Sequence, residues 1–277
     1  EQISTPLIKI KANLYAKLET VNPTGSVKDR LIQHLIKRAL ARDELTTKTF
    51  LVEATSGNTG ISLSAIGAAL GLKVKIIMPE NMSEERRQMM RAFGAEIINV
   101  APSDFAGAID LRNTIVNENN LAWSPMQFEN FENIECHCVY TAREIVDQLG
   151  NQNFGAFVSG AGTGGTIMGV RRAAVAARLQ TQFVLVQPEE DAMSHGIQGI
   201  NDGANFLAKP ELMDRIIKVS TSDAKKRAER FAKNRGVLIG ISAGANLLAA
   251  EKLFQNYKIP GAIVTMLCDR GERYLSQ

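Results

Sequence analysis

Short apolar runs alternate along this chain with longer stretches in which apolar residues recur every three or four positions. Thr49 to Glu53, Val74 to Met78, Glu96 to Val100, Ala156 to Val158, Phe183 to Gln187, Ile216 to Val219 and Ala262 to Leu267 read as strands. Most are largely apolar and rich in Val and Ile, as expected for strands covered on both faces. Helical patterns lie between them: Gly60 to Leu70, Glu84 to Phe93, Phe105 to Asn117, Thr141 to Leu149, Thr166 to Leu179, Ser222 to Asn234 and Ala245 to Asn256. An amphipathic stretch, Leu31 to Leu40, precedes the first of these strands. Ser83-Glu84-Glu85 and Ser222-Asp223 put oxygen acceptors and negative charge where helices start. Strand and helix in alternation predict an α/β fold with largely parallel twisted sheets flanked by helices. The pattern lapses from Trp123-Ser124-Pro125 to Phe131, dividing the chain into two α/β halves. Clefts between such halves, at the carboxyl ends of parallel strands, are common ligand sites.

Composition narrows the function classes. With 277 residues the chain is long enough for two domains, and 45% hydrophobic with 22% charged residues is the balance of a soluble globular protein. The net charge is only +3 and no basic run stands out. Nucleic acid and anionic membrane are not expected partners. No segment reaches the ~20 apolar residues of a membrane span. The start, Glu1-Gln2-Ile3-Ser4-Thr5-Pro6, lacks the basic-then-apolar pattern of a secretory signal. Three cysteines make no disulfide framework, so a reducing cytoplasm is the expected setting. Cys136-His137-Cys138 has no second pair at ligand spacing, so these read as packing residues and no metal is expected.

The candidate chemistry lies in the turns. Lys28 follows Asn22-Pro23-Thr24-Gly25-Ser26-Val27 and opens the first amphipathic stretch. Alone it reads as a surface charge. Three loops change that: Thr55-Ser56-Gly57-Asn58-Thr59-Gly60, Gly160-Ala161-Gly162-Thr163-Gly164-Gly165-Thr166 and Gly240-Ile241-Ser242-Ala243-Gly244. A lysine at a loop–helix junction, with backbone-rich anion cradles, suggests a Schiff-base lysine facing a phosphorylated cofactor. The loop from Gly160 follows a strand and opens a helix, so its N–H groups suit a phosphate. Gly160, Gly162 and Gly165 also satisfy G-x-G-x-x-G, with Glu189 and Glu190 after the next strand where a ribose-binding acid belongs. A dinucleotide enzyme therefore stands as a rival, and a plain glycine-rich turn as a second. Thr163 and Thr166 favour a single phosphate monoester by adding hydroxyl donors. Thr55 to Gly60 offers enough neutral donors to hold a carboxylate, although an ordinary helix cap needs only one of them. The same simple capping role is open to Ser242.

In this order the motifs resemble the cysteine synthase (O-acetylserine sulfhydrylase) and cystathionine β-synthase group of pyridoxal-phosphate enzymes. Further markers are Met78-Pro79-Glu80-Asn81-Met82-Ser83 with Glu85-Arg86-Arg87, and Gln127-Phe128-Glu129-Asn130. The resemblance runs from Thr5-Pro6-Leu7 to Gly271-Glu272-Arg273-Tyr274-Leu275-Ser276. Cys268-Asp269-Arg270-Gly271 and Gln187-Pro188-Glu189-Glu190 look most like the B-type cysteine synthases. It implies fold type II, with residues 19–131 a smaller mobile substrate-binding domain and residues 1–18 and 132–277 a larger domain holding the cofactor phosphate. It implies that Lys28 forms the internal aldimine with pyridoxal 5'-phosphate and later removes the substrate Cα proton. Asn58 would bond the ring oxygen, Gly162, Thr163, Gly164, Gly165 and Thr166 the phosphate, and Ser242 the pyridine nitrogen. Thr55, Ser56, Gly57, Thr59, Gln127 and Gly199 would contact the substrate. The implied reaction is β-replacement: O-acetyl-L-serine plus sulfide gives L-cysteine through an aminoacrylate, in a homodimer. The same machinery with another donor or nucleophile is the alternative.

Departures from the family pattern bear on substrate rather than on chemistry. Ile197-Gln198-Gly199-Ile200 borders the substrate in A-type relatives, but Asn201 and Asp202 follow it here. An acid there would disfavour a phosphorylated leaving group or thiosulfate. Phe131 replaces the usual proline after Asn130, and Cys136 to Tyr140 is unusual. Ser26-Val27-Lys28 differs from the Ser-Phe-Lys of serine and threonine dehydratases. A non-catalytic scaffold would not need Lys28, Asn58 and Ser242 together.

Overall fold

The computed structural model describes residues 3–55, 57–191, 194–200 and 206–275. The chain folds as two compact units.

The first two strands, β1 (Leu7–Lys11) and β2 (Leu14–Leu18), belong to the larger unit. The smaller unit, residues 26–126, is built on a four-stranded, all-parallel sheet. Its strands are β3 (Phe50–Ala54), β4 (Lys73–Pro79), β5 (Glu96–Val100) and β6 (Ala122–Trp123), in spatial order β5-β4-β3-β6. Its helices are α1 (Lys28–Ala41), α2 (Asn58–Leu70), α3 (Glu84–Ala92) and α4 (Phe105–Glu118). The period of two in β4 separates two apolar layers. Val74, Ile76 and Met78 join Leu31, Leu35, Ile61, Leu63 and Met90, whereas Ile77 joins Val52, Ala54 and Ala108. Glu53 and Arg112 form an ion pair at 3.1 Å with both side chains fully buried.

The larger unit, residues 3–25 and 127–275, carries a six-stranded sheet. Its later strands are β7 (Phe154–Gly160), β8 (Gln182–Pro188), β9 (Arg215–Val219) and β10 (Ala262–Leu267), and the spatial order is β1-β2-β10-β7-β8-β9. All pairings are parallel except β1 with β2. Every residue of β10 is buried, and its one polar side chain, Thr265, donates to Val158 O at 2.8 Å. Helices α5 (Glu132–Cys136) and α6 (Ala142–Leu149) are joined by a π-helical turn, His137–Thr141. They are followed by α7 (Gly165–Ala176), α8 (Thr221–Arg235) and α9 (Ile241–Asn256). The fold class expected from the alternating pattern is the one observed.

The β1–β2 hairpin and the helix from Glu132 through the π turn lie outside the expected elements. In β2 the buried Lys17 breaks the apolar pattern. Its Nζ pairs with Glu144 at 2.7 Å and donates to Gln148 Oε1 at 2.9 Å. Partners more than a hundred residues away leave no local signal.

Candidate active site

In the smaller unit, Lys28 is the first residue of α1 and half-buried, with its backbone N–H donating to Ser26 Oγ at 3.3 Å. Asp29, its neighbour, accepts from Ser62 Oγ at 2.5 Å. That bond joins the first turn of α1 to the second turn of α2. Asn58 opens α2, and Thr59 follows it, buried. Thr55 continues from the end of β3: its N–H donates to Ile77 O at 3.0 Å and its Oγ1 accepts from Gly57 N–H at 3.3 Å. This is a hydroxyl-closed turn at a strand end, opening into a helix N-terminus. Lys28 therefore stands at the start of a helix tied to the one whose start bears Asn58 and Thr59. Ser56 lies outside the described residues. The buried Arg86, on α3, has its guanidinium beside this loop: a Cβ on Gly57 would stand 3.7 Å from one of its nitrogens.

The chain reaches α1 from a clamped turn. In the larger unit, Arg270 donates from its backbone to Gly25 O at 3.0 Å and from Nε to Thr20 O at 2.7 Å. Arg273 donates to Thr24 O at 2.7 Å. Gly25 has φ +83°, and a Cβ there would be 2.7 Å from the Arg270 side chain. The arginine of the Cys268-Asp269-Arg270-Gly271 run thus holds the turn that leads to Lys28.

The loop Gly160 to Thr166 links β7 to α7. Gly164, with φ +90°, caps the helix; a Cβ on it would fall 2.3 Å from Ala208 N, and one on Gly165 1.9 Å from Asn133 Oδ1. The first intrahelical bond is Met168 N–H to Gly164 O at 3.1 Å, so the N–H groups of Thr166 and Ile167 lie ahead of it at the open helix end. Thr163 Oγ1 accepts from Asn133 Nδ2 at 3.0 Å and from Gly165 N–H at 3.3 Å. Asn133 Nδ2 also donates to Gln127 O at 3.0 Å, bringing Gln127 to the same layer. Thr166 Oγ1 lies 3.2 Å from His137 Nε2. Gly199, at φ +82°, turns the segment that carries Ile200, and a Cβ on Gly160 would meet Ile200 at 2.2 Å.

Ser242 is 4% exposed in the first turn of α9. Asn246, one turn later, accepts from Gly160 N–H at 2.8 Å and donates to Met266 O at 3.1 Å. It ties the ends of β7 and β10 to the helix of Ser242. Sequence reasoning passes over Asn133 and Asn246, and names Arg86 only within a family marker, without a place at the site. For Asn246 the visible signal is one amide in an otherwise small and apolar helical run.

The rival dinucleotide reading meets a structural objection. Glu190 accepts from Thr221 N–H at 2.7 Å, at the start of α8. Burial pushes its carboxyl up, but hydrogen bonds from the Thr221 and Glu190 backbones, then the Thr221 hydroxyl and the His195 charge, outweigh this and hold it below the usual carboxylate range. One oxygen of its carboxylate, Oε1, is committed to the start of a helix. Among the described residues no group of three His, Cys, Asp or Glu side chains is arranged to hold a metal.

Parallel strands ending in donor-rich loops that open helices define an α/β enzyme built around an anionic cofactor. The chain belongs to the pyridoxal-phosphate dependent enzymes, whose family model matches residues 2–269, and within them to the cysteine synthase and cystathionine β-synthase group. It is 42% identical over 287 residues to cysteine synthase B of Campylobacter jejuni, covering 99% of this chain and 94% of that one. The solved O-acetylserine dependent cystathionine β-synthase of Helicobacter pylori superposes with a TM-score of 0.91 at 35% identity, covering 99% of this chain and 94% of that one. A hydrogen sulfide-producing enzyme of Fusobacterium nucleatum gives 0.89 at 33%, covering 98% and 96%. The family's cofactor is pyridoxal 5'-phosphate, and the loop from Gly162 to Thr166 fits its phosphate. Bare glycines let the backbone approach, the helix start offers N–H groups, and two threonines add hydroxyls.

Proposed function

We propose that this enzyme catalyses β-replacement on O-acetyl-L-serine with sulfide, releasing acetate and forming L-cysteine. The observation that carries the reading is the neutral, buried Ser242 at the start of α9. A hydroxyl facing a pyridine nitrogen does not enforce its protonation, which favours loss of a β-leaving group over racemisation or transamination. The identity to cysteine synthase B supports the substrate pair.

The cofactor, when bound, supplies the electron sink that lets the bonds at Cα and Cβ break. Gly162 to Thr166 would hold its phosphate, and Asn58 would bond its ring oxygen. Thr55, Ser56, Gly57, Thr59 and Gln127 bind the substrate carboxylate, and Gly199 gives the neighbouring segment its turn beside the substrate. Lys28 Nζ takes the Cα proton. Acetate leaves Cβ with the C–O bonding pair, sulfide forms the S–Cβ bond, and Lys28 returns the proton to Cα.

A second nucleophile is a specific alternative, because the Helicobacter relative is an O-acetylserine dependent cystathionine β-synthase. Acetate release measured with sulfide and with homocysteine separates them. Sulfide is expected to give the higher kcat/KM; a homocysteine preference of tenfold or more overturns the cysteine reading. Lys28→Ala is expected to lose the visible absorbance of the bound cofactor and at least about a thousandfold in turnover. Full turnover in that variant sinks the assignment.

A further inference from the structure

The helix from Glu132 through the π turn is pressed onto α7 along two glycines. A Cβ on Gly165 would meet Asn133, and one on Gly169 would lie 2.6 Å from His137 Cβ and 2.5 Å from Ile134 O. This packing sets Asn133 and His137, one turn apart, directly behind Thr163 and Thr166. Asn133 shows how the layer works: its amide N–H donates to Thr163 Oγ1, as does the Gly165 N–H. The Thr163 hydroxyl oxygen is therefore supplied with donors, and its own proton is left to point at an anion.

His137 stands in the same relation to Thr166, but its ring can be protonated on either nitrogen. The imidazole is buried, with Nδ1 2.8 Å from Thr141 Oγ1 and Nε2 3.2 Å from Thr166 Oγ1. In a neutral ring one nitrogen donates and the other accepts. With the proton on Nδ1, the ring donates to Thr141, and Nε2 takes the Thr166 hydroxyl proton. Thr166 would then show only lone pairs to a phosphate. With the proton on Nε2, Thr141 donates to Nδ1, the ring donates to Thr166 Oγ1, and the Thr166 proton is released toward the anion. The π-helical turn serves this arrangement by holding His137 and Thr141 on one face. Such turns are frequent at functional sites.

We propose that His137 is a positioning residue for the cofactor phosphate: in the loaded enzyme its ring carries the proton on Nε2 and donates it to Thr166. The inference rests on the reading that Gly162 to Thr166 hold the phosphate. It is tested in the holoenzyme by long-range proton–nitrogen spectra of labelled histidine, which distinguish the two tautomers. The chain has three histidines, and His137→Gln assigns the ring. An Nε2–H ring is expected, and an Nδ1–H ring or an imidazolium overturns the inference. His137→Leu is expected to weaken pyridoxal 5'-phosphate binding about tenfold, with a shifted phosphorus resonance. His137→Gln, which keeps a donor near Nε2, should restore affinity to within about threefold. Equal losses in both variants mean a merely structural role and overturn it. Thr166→Val separates the two levels. If it leaves cofactor affinity unchanged, the Thr166 hydroxyl does not hold the phosphate and the inference falls; if Gly164→Ala, against the Ala208 backbone, also leaves it unchanged, the reading of the loop falls with it. If it weakens binding while His137 is Nδ1–H, only the inference about His137 falls.

Discussion

Ser242 shows how much a single side chain can decide. It is buried in the first turn of a helix, and its only ionisation state near neutral pH is the neutral one. Removing the hydroxyl loses at most one neutral hydrogen bond, so Ser242→Ala is expected to keep kcat/KM for acetate release within about tenfold of the parent. Ser242→Asp introduces a charge that pairs with a protonated ring nitrogen and favours retention of charge at Cα. Acetate release is expected to fall about a hundredfold, the scale of a charge-assisted bond. Steady-state kinetics with O-acetyl-L-serine read both. An aspartate variant as fast as the parent would remove the basis for preferring β-replacement.

At the scale of elements, strands covered on both faces are legible and elements completed by distant polar partners are not. β4 and β10 reveal themselves through runs rich in Val, Ile and Met, broken only by Lys75 and Thr265 inside the expected strands, and α3 through its capping Ser83, whose hydroxyl accepts from Arg86 N–H; α8 starts slightly ahead of the expected Ser222, capped by Ser220, whose hydroxyl accepts from Asp223 N–H. The hairpin of β1 and β2 is hidden, because the lysine it buries is compensated by Glu144 in another helix. The loops that carry the candidate site are legible by composition, since glycines and hydroxyls cluster in them. Their backing layer is not: Asn133 meets Thr163 across 30 positions and Asn246 meets Gly160 across 86. The cradle's rigidity can be probed at its cap. Gly164→Ala adds a methyl group at φ +90°, against the backbone of Ala208, in a conformation costing a non-glycine residue about 1–2 kcal/mol before the clash. It is expected to lower cofactor affinity at least about tenfold, measured by absorbance titration; parent-like affinity would mean that the loop is free to rearrange.

For the whole molecule, the two units provide separate probes. The single tryptophan, Trp123, lies in the smaller one, where its Nε1 donates to Glu44 at 3.2 Å. The buried pair of Glu53 and Arg112 lies in that unit too. Glu53→Gln leaves a buried guanidinium without its counter-charge, which costs about 3 kcal/mol. In urea the variant is expected to unfold in two steps by far-UV circular dichroism, with Trp123 fluorescence following the first step only. One coincident transition at the parent's midpoint would show that the pair contributes little.

The glycine seam between α7 and the helix from Glu132 to the π turn acts as a registration mark. On the α7 side the crossing is glycine, with no side chain there to absorb a shift, and a slide of one residue's rise, about 1.5 Å, drives the α7 backbone against Asn133, Ile134 and His137. Donor and recipient on the two helices are thus indexed by how closely the bare glycines let the helices approach. An engineer can recolour the substrate-facing loops one residue at a time. Moving the anion cradle itself would require rebuilding two helices together.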